Sequence, residues 1–305
     1  MTFKWIVLGS CLLVSCGRES KPVSTTWTAP DPSSIPSTEE GELIRYGQRL
    51  VANTSVYFGP HGTFDRTSNG MTCQNCHLNA GTKPWGNNFG AVYSTYPRFR
   101  ERRGAIETIP QRITDCFERS LNGRPPDSNS VEMKAFVAYL RWLGTGVPKG
   151  KKPEGSGLAN LPFPRRAADT AKGRAIFLAI CQTCHGPGGG GQLAADGIGY
   201  AYPPLWGEHS YNTAAGLYRI SRLAGFIKFN MPFGADYQGT RLTDEEAWDV
   251  AAFVNSQPRP QRTFAGDWPN ISLKPVDLPF GPYADSFSEA QHKYGPFGPM
   301  QKKKN

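Results

Sequence analysis

With 305 residues, the chain has the length for about two ordinary domains, each able to bury its own core. An apolar fraction of 38% beside 34 glycines and 26 prolines favours compact helices joined by long irregular loops and argues against a large sheet enzyme. The formal charge of +9 is compatible with a nucleic acid, a membrane surface or a small anion as partner, and by itself does not choose among them.

Residues 1–16 read MTFKWIVLGSCLLVSC. Lys4 supplies a positive start and Trp5 to Val14 an apolar run, too short to span a bilayer and suited to an export signal. Leu13-Val14-Ser15-Cys16 resembles a bacterial lipobox, which predicts cleavage before Cys16 and lipidation of its sulfur. Leu8-Gly9-Ser10-Cys11 would leave almost no apolar run if cut there. The expected location is therefore the periplasm, with a lipid anchor at Cys16 as the only membrane attachment. Residues 17–37, rich in Ser, Thr and Pro, read as a flexible tether.

Two units follow, over residues 38–145 and 165–257. Ile44 to Val51 and Thr170 to Phe177 each place a glycine, Gly47 or Gly173, ahead of apolar residues at helical spacing. Glycine inside a helix costs about 1 kcal/mol relative to alanine, so a close contact is expected at both. Each unit also ends in a helix. Ser130 would cap one whose apolar face is Met133, Phe136, Val137, Leu140 and Leu143, and Thr243 to Glu246 form a capping box ahead of the other. Residues 146–164, with Gly, Pro and Lys, read as a linker. Residues 258–305 lack periodicity and read as an irregular arm lying over the domains.

Between the helices of each unit lies a C-x-x-C-H motif, Cys73-Gln74-Asn75-Cys76-His77 and Cys181-Gln182-Thr183-Cys184-His185. The cysteine pairs suit two thioether bonds to a porphyrin, and the adjacent histidine supplies a nitrogen to iron. A zinc site built from the four cysteines would not explain why histidine follows immediately both times. The expectation is an all-α protein with two cytochrome c-like domains in tandem, long irregular loops and a C-terminal arm, carrying two covalently bound haem c groups.

The sixth iron position decides what each haem does. For the second, Met231 follows an expected helix from Thr213 whose face includes Leu217, Ile220, Leu223 and Ile227. Pro232 turns the chain there, freeing a soft thioether to point inward. Lys228 is a costlier alternative, since it must lose its proton. For the first haem, Met133, His61 and Cys116 compete. Met133 lies on the stripe of a core helix, and His61 in the insertion 52–72. Cys116 is the odd thiol once the two motifs are set aside, in an oxidising compartment where an odd thiol needs an explanation. It lies on a short helix between Pro110 and Gly123 whose buried stripe is Ile109, Ile113, Phe117 and Leu121. Arg112, Cys116 and Ser120 stand one turn apart on an adjoining face. Thiolate ligation by Cys116 is the favoured reading.

This stretch is densely basic, with Arg98, Arg100, Arg102, Arg103, Arg112, Arg119 and Arg124, interleaved with Glu101, Glu107, Asp115 and Glu118. No nucleic-acid recognition pattern accompanies it. A small oxyanion fits better, because arginine offers a fixed fork of donors and stays charged.

With these residues in place, the chain closely resembles the dihaem thiosulfate dehydrogenases, some of which act as tetrathionate reductases. The resemblance rests on Asn69 to Gly81 around the first motif, Asp115 to Gly123, Pro204 to Gly207, Ser210 to Asn212, Phe226 to Pro232, and His292 to Phe297. It implies His77 and Cys116 on the iron at the active site, and His185 and Met231 on an electron-relay haem. It also implies Arg102, Arg112 and Ser120 as holders of the anions, with Cys116 bonding transiently to a substrate sulfur. Where some relatives carry lysine before the methionine, this chain has Asn230. The activity implied is oxidation of two thiosulfates to tetrathionate, with a periplasmic cytochrome or other redox protein taking the electrons. A dihaem electron carrier without small-molecule chemistry is the alternative.

Overall fold

The computed structural model describes residues 26–64 and 66–304 together with Met1. The export signal with Cys11 and Cys16, the start of the tether, and the side chains of Lys302, Lys303 and Lys304 lie outside the described residues.

In chain order the first unit comprises α1 (Glu39–Ala52), α2 (Thr54–Phe58), α3 (Leu78–Gly81), α4 (Val92–Thr95), the antiparallel ribbon β1 (Arg98–Arg100) and β2 (Ala105–Glu107), α5 (Ile109–Arg119) and α6 (Val131–Leu143). The second comprises α7 (Thr170–Ile176), α8 (Gln182–His185), the ribbon β3 (Gln192–Leu193) and β4 (Tyr200–Tyr202), α9 (Ile220–Asn230) and α10 (Asp244–Ser256), followed by α11 (Glu289–Tyr294) and α12 (Gly298–Lys304). The protein is two tandem cytochrome c domains, mostly helical with a few short strands. Among the described residues no helix is long and apolar enough to cross a membrane.

Each domain is built on one helix crossing, α1 with α6 and α7 with α10. Both predicted glycine contacts exist. A Cβ on Gly47 would lie 2.0 Å from the Ala135 carbonyl oxygen, and one on Gly173 would lie 1.9 Å from that of Asp249. Only a residue without a side chain lets the two backbones approach so closely. The partner helices start at their predicted caps, Ser130 accepting from the Met133 N–H and Thr243 from that of Glu246.

The insertion after α1 is sewn shut at its base. Thr54 Oγ1 accepts from the Cys73 N–H at 3.0 Å, and Gln74 Nε2 donates to the Ala52 carbonyl at 2.6 Å. The first haem motif is thereby returned to the end of α1. In the second domain the chain arrives there directly, α7 passing through a π turn at Phe177–Cys181 into α8. The insertion also carries fully buried Phe58, packed edge-on against Phe117 of α5 at 5.1 Å.

Several expectations are corrected. The tether is packed where it is described: Trp27 is buried, its N–H donates to the Glu154 carbonyl, and its ring lies where a Cβ on Gly90 would be. The linker buries Leu158, Ala159 and Leu161. The arm lies over the second domain as expected, with Phe297 and Met300 buried in its core, but it is not irregular throughout, since it holds two short helices. The helix expected from Thr213 begins at Ile220. Asn212 donates to the Glu118 carbonyl and the Thr213 hydroxyl to that of Arg262, contacts with other parts of the chain that hold residues 212–218 in an irregular path.

Candidate active site

A cavity of about 280 Å³ opens in the first domain between α5 and the first motif. Cys73, Cys76 and His77 line it together with Arg112, Cys116 and Ser120, the last three one turn apart along α5 and its C-cap. Met71, Ile113, Phe117, Phe136 and Leu140 give it apolar walls. Local sequence explains why α5 presents this face. Thr108 and Gln111 form a reciprocal capping box at its start, with Pro110 in the first turn. Its stripe of Ile109, Ile113 and Phe117 is buried, which turns Arg112, Cys116 and Ser120 toward the adjoining cavity. The far end is clamped, as Asn69 Nδ2 donates to the Ser120 carbonyl at 2.7 Å and Asn212 Nδ2 to that of Glu118 at 2.9 Å.

The arginines divide sharply. Arg119 makes a two-pronged pair with Asp267 at 2.6 and 2.8 Å, Arg103 lies 3.3 Å from Asp115, and Arg100 lies 3.3 Å from Glu107. Those charges are spent on structure. Arg112 reaches Asp115 only at 3.9 Å and keeps 34% of its side chain exposed. Proximity to Cys116 raises its pKa above the ordinary arginine value, against the opposing effect of burial. Arg102 is not brought into the cavity. It donates to the Ala214 carbonyl at 2.9 Å, lies over the Trp268 ring, and is pulled down to about 10 by burial and by Arg119.

Both motif histidines are held in one tautomer. His77 Nδ1 donates to the Asn87 carbonyl at 2.5 Å and His185 Nδ1 to that of Pro203 at 2.9 Å. A carbonyl only accepts, so in each ring Nε2 keeps the free lone pair that a metal needs. Burial lowers both pKa values, that of His77 to about 4, which keeps that imidazole neutral.

The second site is a packed one. Phe177 and Trp206 lie 4.9 Å apart and Phe253 leans on both, while Cys181 and Met231 pack against the core. Lys228 is turned to the start of α10, donating to the Leu242 carbonyl at 2.6 Å and pairing with Asp244 at 3.0 Å. Asn230 is buried and donates across the domain boundary to the Trp85 carbonyl. Neither residue is placed to compete with Met231.

The SoxA/TsdA cytochrome c domain family matches residues 63–148, and the cytochrome c family matches residues 170–258. Thiosulfate dehydrogenase of Allochromatium vinosum is 41% identical over 244 residues, which cover 79% of this chain and 87% of that protein. That of Stutzerimonas stutzeri is 39% identical over 232 residues, covering 76% and 72%. The chain belongs to the thiosulfate dehydrogenase family. The solved TsdBA thiosulfate dehydrogenase of Marichromatium purpuratum, in its as-isolated form, matches with a TM-score of 0.72 at 35% identity over 78% of this chain. This chain spans 51% of that longer one.

Two covalently bound c-type haems belong to such a fold, and the residues fit them. Burial pushes the Cys73 and Cys76 thiols up to about 12 and Cys181 up to about 11. None of the four motif cysteines is in a disulfide. Of the three candidates for the first iron, Met133 is buried in the helix core and His61 sits exposed on its turn. Cys116 alone of the three lines the cavity. Sequence reasoning missed the Thr108 cap, legible as Thr108 followed three residues later by Gln111. It also missed Lys152, a cavity-lining residue in the linker.

Proposed function

We propose that the protein joins two thiosulfates into tetrathionate at the first domain, 2 S₂O₃²⁻ → S₄O₆²⁻ + 2 e⁻, and that the same site permits the reverse. The observation carrying this reading is the sharing of one cavity by Cys116, His77, Arg112 and Ser120. Two dianions held about 5 Å apart repel by roughly 3 kcal/mol even in bulk water, and by more in a cleft. The Arg112 guanidinium offsets that repulsion, and the Ser120 hydroxyl donates a hydrogen bond to a sulfonate oxygen. The Cys116 sulfur bonds the outer sulfur of one thiosulfate as two electrons leave. The second thiosulfate then attacks that sulfur and returns the Cys116 thiolate. When bound, the two haems supply one-electron redox centres that accept the pair and pass it outward.

The electron partner in this reading is a periplasmic cytochrome or other redox protein. The signal-like residues 1–16 support export to the periplasm and anchoring through Cys16. A Cys16→Ser change should release the protein from membranes, and retention there would end the anchor assignment. For the reaction itself, purified dihaem protein is mixed with thiosulfate while the haem spectrum is followed. Reduction of the haems together with tetrathionate formation is expected. Haems that stay oxidised, with no tetrathionate formed, would overturn the reading.

A further inference from the structure

The loop that carries Met231 is gripped from the other domain. Residues 230–237 leave the end of α9, and the Trp85 carbonyl of the first domain accepts from Asn230 Nδ2 at 3.2 Å. Lys83 Nζ donates to the Ala235 carbonyl at 2.9 Å. The Trp85 ring stacks on Tyr237 with centroids 5.0 Å apart, and Phe229 of α9 leans on the same tyrosine at 4.9 Å. Met231 therefore lies between one anchored residue before it and two anchored residues after it.

Two features of this grip cost more than simple packing of one domain on another requires. Trp85 has a φ of 57°, in the left-handed region that a bulky residue enters at a cost. The linker holds it there, the Trp85 N–H donating to the Gly155 carbonyl at 2.8 Å and the Asn87 N–H to that of Gly157 at 3.0 Å. Asn230 is 2% exposed and gives its amide hydrogens to the Trp85 and Phe226 carbonyls. Its Oδ1 is buried with no partner among the described residues, a penalty that an apolar side chain would avoid. The same short segment serves the first motif, since the Asn87 carbonyl accepts from His77 Nδ1. Strain of this kind persists where the surroundings over-determine a position that function uses.

We propose that Trp85, acting through Asn230 and Tyr237, is a positioning residue for the Met231 thioether, so that the first domain holds in place the sixth ligand of the second haem. Groups behind a metal ligand fix its orientation, and the ligand binds less well without them. Here those groups come from the domain that carries the other haem. The proposal rests on Met231 as the ligand and is independent of the thiosulfate chemistry.

The test uses the dihaem holoenzyme with Trp85→Ala and Tyr237→Ala made singly, and Trp85→Phe as the conservative change. Tyr237 is 45% exposed, so its replacement is the one least able to disturb folding. Imidazole is titrated into the oxidised protein while the long-wavelength absorption of methionine-ligated ferric haem is followed. Midpoint potentials of both haems are measured, with haem content and the denaturant midpoint as checks on folding. A positioning role predicts that imidazole displaces Met231 at about tenfold lower concentration in both alanine variants. The second haem's potential should fall as well, since methionine ligation is what raises it. Trp85→Phe, which keeps a ring over Tyr237, should restore most of the wild-type behaviour. Haem-loaded alanine variants that lose stability but keep wild-type imidazole affinity and potential overturn the role, because a purely structural contact moves stability alone. A wild-type protein without the methionine absorption would overturn the ligand assignment itself.

Discussion

The two domains start from the same plan and diverge at one point: what the chain does between its opening helix and its C-x-x-C-H motif. In the second domain α7 runs without a break into Cys181, Cys184 and His185, and aromatic side chains fill the surroundings. In the first, the sewn-shut insertion carries Phe58 beneath α5 and holds a cysteine, an arginine and a serine over the cavity. Aromatic side chains and a methionine around the second motif suit electron relay. A cysteine, a guanidinium and a hydroxyl beside the first motif suit a small sulfur anion. The lesson is that an inserted loop acquires function by seating another element, here α5, rather than by supplying ligands, since His61 within it stays exposed.

The sharpest way to break the comparison is Cys116→Gly. Turnover should fall about a thousandfold or more, while the spectrum of the second haem stays unchanged. Near wild-type turnover would reduce the first domain to a second relay. Arg219→Ala probes the other side. Asp277 is fully buried, and although burial pushes its pKa up, Arg219 and the Ser221 contacts hold it below the ordinary carboxylate value. Removing Arg219 strands that charge at a cost of roughly 3 kcal/mol. In the wild type this contribution is present above the ordinary carboxylate pKa and is lost as pH falls through the depressed value. The substitution should therefore flatten the acid limb of a denaturation profile; an unaltered limb would show that the pair is not what protonation breaks.

Gly47→Ala and Gly173→Ala sharpen the shared plan. Each inserts a Cβ within about 2 Å of a carbonyl oxygen and should destabilise its own domain by about 2–3 kcal/mol, read as a lowered midpoint in denaturant. One tolerated substitution would mean the two crossings are not equivalent. Arg112→Ala is the mildest of the series. It should lower kcat/KM for thiosulfate by at least about tenfold without moving the second haem's potential, and an unchanged rate would place Arg112 outside the reacting pocket.

Sequence alone carried the repeated motifs, the odd cysteine, the glycines at the crossings and the caps of α6 and α10, because each follows from covalent chemistry or from contacts within a few residues. It could not tell which of the seven arginines are taken up by close structural ion pairs and which face the cavity. That depends on Asp115, Glu107 and the distant Asp267, brought into reach only when β1, α5 and the arm come together. It misjudged the tether for the same reason, since Trp27 is buried against surfaces that exist only in the folded protein. Spacing along the chain fixed the haem-binding chemistry. The charge left over at the cavity was decided by tertiary contact, because a salt bridge depends on distance in space and not on separation in sequence.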